Sequence, residues 1–266
     1  SIPNFLGNLG EIQPVSGNTK SWQWVIDQLK SYPQTFAQNA ETPFIHKELY
    51  LNQSPAPIRA AFGICAAHIF VNDGNKSMLN RTLNAEVTEL LRPALDETIL
   101  QALARMQALV LYQIIRMLYG DLEQRISAEQ QENSIAASGL QLLRRADWEL
   151  QGEQPTWKNW ILAESIRRTV MVAFMSYAVY SLFKHGICPE FPTLSMLPVS
   201  TKANLWGSPG VGVQHHILDK TMKYHEYTDN WCAFPQLDPA PFEKMLLVAC
   251  KGLDQIEALT FAGTIG

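Results

Sequence analysis

From Val170 to Phe183 the chain reads V-M-V-A-F-M-S-Y-A-V-Y-S-L-F, interrupted only by Ser176 and Ser181. A helix over this stretch has no polar face to turn to water, so other helices must enclose it. The run falls short of the roughly 18 apolar residues that cross a bilayer. Arg167 and Arg168 stand at one end and Lys184 at the other, so no membrane span is expected. The limits of the helix are legible too: Thr156 follows Pro155 as a cap, and His185 and Gly186 supply a stop, which predicts one helix over 156–185. In its first turns Glu164, Arg167 and Arg168 fall at i, i+3 and i+4, a spacing that predicts an ion pair at the edge of the core, partly buried.

The flanking sequence supplies the enclosing helices. Ser21 caps a first amphipathic segment with Trp22, Val25, Ile26 and Leu29 on one stripe, ended by Pro33. A short helix is expected within 42–52. After Pro57 a small, apolar segment carrying Cys65 and His68 runs to Asp73-Gly74 and predicts a deeply buried helix. Ser77 to Arg92 is amphipathic and stops at Pro93. A helix from about Glu97 to Gly120 and another opened by Asp121, with Gln124 three residues on, form an antiparallel hairpin, the second running to about Leu150 with a kink near Gly139. A polar helix is expected from His215 to about Tyr227, and a final one from Asp238-Pro239-Ala240-Pro241 onward. No stretch alternates with period two for long enough to predict a strand. The expected fold is therefore all-α: a single domain of stacked antiparallel helices around the buried central helix (156–185). An N-terminal arm covers 1–20, the helical domain 21–266, and a Pro/Gly-rich loop 187–213 within it.

Composition excludes several functions. Formal net charge is −4 and the basic residues are scattered, so the segment lacks the electrostatic footprint for direct nucleic-acid contact. Cys65, Cys188, Cys232 and Cys250 are dispersed, with no C-x-x-C pair, which points to a reducing compartment and to folding without a structural metal. The opening S-I-P-N-F-L-G has no signal-peptide pattern, and Ser1 in place of Met points either to a trimmed chain or to one domain of something longer. There is no Walker A sequence, G-x-S-x-G elbow or H-E-x-x-H motif, and G-S-P-G-V-G at 207–212 does not sit between a strand and a helix. No cofactor is expected. An enzyme reading is left with a cofactor-free pocket using His, Tyr and Glu side chains.

Three segments together carry a resemblance: L-A-R-M-Q-A-L-V-L-Y-Q-I-I-R-M-L-Y-G-D, W-K-N-W-I-L-A-E-S-I-R-R-T, and F-E-K-M-L-L-V-A-C-K-G-L after a proline-rich stretch. From about Phe44 onward the chain resembles the C-terminal regulatory (middle homology) region of fungal binuclear zinc-cluster (Zn2Cys6) transcription factors, of the kind associated with secondary-metabolite gene clusters. The resemblance implies an all-helical domain that receives a signal from a small molecule or partner protein and passes it to a separate DNA-binding module. It also implies a nuclear location, where a free-standing protein would be cytoplasmic. The family's zinc cluster needs six closely spaced cysteines; this sequence has four, none grouped.

Several residues could carry function. Glu164, Arg167 and Arg168 form either a regulatory ion pair that an effector breaks or an interhelical brace. Trp157 and Trp160, one turn apart, bury against a neighbouring helix or the proline-rich loop, or line a pocket mouth together with Trp206. His68, His215 and His216 are further pocket candidates, and His68 and His46 read equally as satisfied core histidines. His215 and Asp219 stand at i and i+4, but no second tight ligand pair accompanies them, so no metal site is expected. Two functional readings result. One is a sensor domain for an apolar or aromatic effector, a protein partner or a second copy of the chain. The other is a stand-alone helical protein that binds or converts a small apolar metabolite, as a cofactor-free isomerase or cyclase would.

Overall fold

A computed structural model describes residues 19–92, 96–150, 156–208, 220–235 and 238–263. The central helix, α6, spans Trp157–His185. Thr156 caps it by accepting from the Asn159 N–H at 3.2 Å, and Gly186 ends it in the left-handed region at φ 72°. Every residue from Ile161 to Leu182 is buried or nearly so, on all sides of the helix. The expectation of an enclosed apolar helix is met.

The enclosing layer comes from both directions of the chain. Helix α1 (Thr19–Asn39) starts two residues earlier than expected and runs straight through Pro33, which is buried within it. A proline here forfeits one hydrogen bond to the preceding turn, and the helix nevertheless continues to Asn39, where Ala40 turns left-handed at φ 55°. Ser21 does not cap α1; its Oγ accepts from the Leu253 N–H at 2.8 Å. Of the expected arm over 1–20, residues 1–18 lie outside the described residues, and Thr19 and Lys20 belong to α1. The 42–52 segment holds one 3-10 turn at Lys47–Leu49.

Helix α2 (Ala56–Ile69) is not deeply buried. Ile58, Ala61, Ile64 and Cys65 face α1 and α4, but Phe62 and Ile69 are substantially exposed because α2 lies at the rim, where α3 (Lys76–Leu90) is its other main neighbour among the described residues. Small apolar residues all round a helix mark burial only when partners exist on every side. Helix α4 (Ile99–Leu118) opens with a Thr98–Gln101 capping box, and α5 (Leu122–Glu149) with Asp121 accepting from the Gln124 N–H at 3.1 Å. Their link is tight: a Cβ at Gly120 would stand 2.2 Å from the Arg116 carbonyl oxygen. Helix α5 continues unbroken through Gly139, whose missing side chain admits Met106 of α4 and Val170 of α6. Three helices meet there.

After α6 the chain makes a short helix α7 (Phe191–Leu194), strand β1 (Pro198–Ser200) and a 3-10 turn at Ala203–Leu205. Strand β2 (Thr221–Lys223) pairs antiparallel with β1, Val199 opposite Met222, and α8 (Tyr224–Ala233) follows. Residues 215–219 of the expected His215–Tyr227 helix lie outside the described residues, and 221–223 are strand instead. A three-residue ribbon has too few positions to show alternation, which is why no strand was expected. The last helix is two: α9 (Pro241–Lys251) and α10 (Leu253–Gly263), separated by Gly252 at φ 89° and ψ 149°, a conformation that excludes other residues.

Candidate functional site

Arg168 stands at the junction of α6 with α9, and its side chain is 2% exposed. Its Nε donates to Glu164 Oε1 at 2.7 Å, its Nη2 to Glu243 Oε1 at 2.5 Å and its Nη1 to the Pro43 carbonyl at 3.2 Å. The guanidinium lies over two aromatic faces, 4.1 Å from the Trp206 ring centroid and 4.4 Å from that of Phe242. Arg167 donates from Nε to the other oxygen of Glu164 at 2.9 Å. Two carboxylates and two guanidiniums thus share one buried site. The expectation of a partly buried pair at the core edge is corrected: the Glu164 side chain is 4% exposed, because α9 and the Trp206 segment close over it. Helical spacing supplied Glu164 with Arg167 and Arg168; Glu243, 75 residues from Arg168, is brought in by α9.

Above this group lies a cleft of about 670 Å³, bounded by the Thr42–Glu48 segment, Trp206 and the Ala240–Glu243 start of α9. Its volume lies within the range of small-molecule sites. Glu243 Oε2 is buried at its wall without a hydrogen-bond partner. Burial pushes the Glu243 carboxyl up, and Arg168 pulls it back down. His46 stands beside it, 7% exposed. Its Nδ1 accepts from the Glu48 N–H, so Nε2 carries the proton and donates to the Trp206 carbonyl at 3.0 Å. Burial lowers its pKa and keeps the ring neutral. With both nitrogens engaged, His46 is the satisfied histidine of the sequence reading, and it holds Trp206 in place.

Trp157 and Trp160 form a small apolar cluster with Ile161, against which Leu49, Leu205 and Trp206 pack. The His46 ring meets Trp157 and Trp206 edge-on, at 5.6 and 4.9 Å between centroids. The two tryptophans of α6 therefore pack against the proline-rich segment, and of the three only Trp206 lines the cleft. His68 is elsewhere. It is half-buried at the α2 rim, edge-on to Tyr119 at 4.6 Å, and is not a core histidine. His215 and His216 lie outside the described residues. Among the described residues no group of three His, Cys, Asp or Glu side chains could hold a metal ion, and no helix is long and apolar enough to cross a membrane.

Sequence reasoning missed Arg116, whose signal was present. It sits in an apolar stretch of α4 with no acid at i±3 or i±4, and it is 1% exposed.

No family model matches the chain, and no solved structure matches it. Transcription factor gsfR2 of Penicillium aethiopicum is 30% identical to the chain over 201 residues, covering 70% of this chain and 48% of that protein. The chain is related to a fungal transcription factor. It spans about half the length of that relative.

Proposed function

We propose that this chain is the signal-receiving region of a fungal transcriptional regulator, acting in the nucleus and making no DNA contact of its own. The observation that carries the reading is the 201-residue similarity to a fungal transcription factor, which falls on a helical chain of net charge −4. In this reading a small apolar or aromatic effector enters the cleft over Arg168 and takes the place of the Trp206 ring against the guanidinium. The Trp206 segment is the movable part. It is held by the cation–π contact to Arg168 and the carbonyl bond to His46, both of which a ring-bearing ligand can replace. Both ring nitrogens of His46 at the cleft are engaged in hydrogen bonds, which supports binding over chemistry. The test is to fuse the chain to an unrelated DNA-binding module in a fungal reporter strain, with and without Trp206→Ala. Transcription should differ from that of the module alone, and the variant should shift it. Reporter output equal to the module alone for both fusions would refute the reading.

A further inference from the structure

A second cavity, about 250 Å³, lies between α2, α3, α4 and the start of α5 and shares no residue with the Arg168 cleft. Arg116 and Gln124, 1% and 3% exposed, both line it. Arg116 has no carboxylate partner among the described residues. Its Nη1 bonds go to neutral amide oxygens, Gln131 at 2.6 Å and Gln113 at 3.4 Å, and its Nε has none. Gln124 Oε1 is likewise buried without a donor. Burial lowers the Arg116 guanidinium to about 10, which still leaves it charged near neutrality. A buried cation with no counter-charge is costly to retain, and a buried unfilled acceptor adds to the cost. The other charges nearby are spoken for or at the mouth: Lys76 pairs with Asp121 at 3.3 Å, Asp73 is exposed, and burial keeps His68 neutral. Leu79, Leu83 and Ile115 supply apolar walls.

We infer that this cavity is a binding site for a small hydroxylated organic acid. The carboxylate pairs with Arg116, the hydroxyl donates to Gln124 Oε1, and the hydrocarbon body lies against Leu79, Leu83 and Ile115. The volume sits just below the about 300–1,000 Å³ typical of drug-sized ligands, which restricts the occupant to a single ring or short chain. The site stands whether or not the chain regulates transcription, since it draws on none of the residues of that reading.

The experiment is calorimetric titration of the folded chain with 4-hydroxybenzoate, its neutral amide 4-hydroxybenzamide, and inorganic phosphate. The acid should bind saturably, and the amide at least about tenfold more weakly, as loss of a charge-assisted hydrogen bond dictates. Arg116→Met should abolish binding. Gln124→Glu places a carboxylate in the same cavity and should weaken the acid at least about tenfold while leaving the fold intact. No binding of the acid, or phosphate binding as tightly as the acid, would overturn the assignment. So would unchanged affinity in Gln124→Glu, which decides the matter by itself should Arg116→Met fail to fold.

Discussion

Replacing Glu164 by Gln tests whether the Arg168 group is a brace built into the core. The substitution keeps the shape and one acceptor oxygen but removes the charge that lies between Arg167 and Arg168, at 2.9 and 2.7 Å. Glu243 is then the carboxylate left on Arg168, with one oxygen engaged and the other still unpartnered. Breaking a buried pair by removing one member costs about 3–5 kcal/mol. The amide oxygen retains part of one hydrogen bond, so the low end, about 3 kcal/mol, applies here. At roughly 2–4 °C per kcal/mol for a chain of this size, the melting temperature should fall by about 6–12 °C. The assay is a thermal melt followed by circular dichroism, with Glu89→Gln as control. Glu89 pairs with Arg92 at a site where both side chains are about two-thirds exposed, and its loss should leave the melt unchanged. A Glu164→Gln protein that melts with the parent would refute the argument that burial makes this cluster structural.

Other outcomes follow from the same description. Phe174, 5% exposed on α6, should cost about 3–5 kcal/mol when changed to Ala, read as a large drop in melting temperature; an unchanged melt would place α6 at the periphery. Burial and the neighbouring Glu190 carboxylate push the Glu132 carboxyl from its ordinary 4.5 to about 7. The folded state then holds a proton that the unfolded chain has released, so this group's contribution is full below about pH 4.5 and is lost as pH rises through 7. Glu132→Gln should therefore out-melt the parent above pH 7 and match it near pH 4.5; parallel curves would exclude the effect. In a gel shift at physiological salt the chain should not bind duplex DNA selectively, since scattered basic residues and a net −4 supply no phosphate contacts; a tight, sequence-specific complex would refute this.

Which features could be read from the sequence depended on the range of the interaction. The α6 limits, the Asp121 cap and the Glu164–Arg168 spacing are local, and all three are seen in the structure. Pro33 misled because a proline that ends an isolated helix can be carried within one packed along its length. Gly252 was read as part of a continuous helix because its neighbours keep the apolar stripe on both sides of the break. The Arg168 site was half legible. Its α6 members share a helix face, whereas Glu243, Phe242 and Trp206 arrive through pairings no periodicity encodes. The depth of α2 was overestimated because composition reports what a helix tolerates, not how many neighbours it has.

The break at Gly252 has a consequence for how the chain reaches this structure. By folding back there, α9 and α10 both return to α1: Tyr32 donates to Met245 Sδ across 213 residues, and Leu253 reaches Ser21 across 232. Helix α1 also packs on α2, α4 and α6, but the part of it that meets α9 and α10 is covered only once those two helices have been made. Contacts of such sequence separation form late, because the loop they close must be ordered first. A nascent chain halted before Pro241 would therefore leave the part of α1 around Tyr32 uncovered, a surface that holding chaperones bind, and release should coincide with the arrival of α9 and α10.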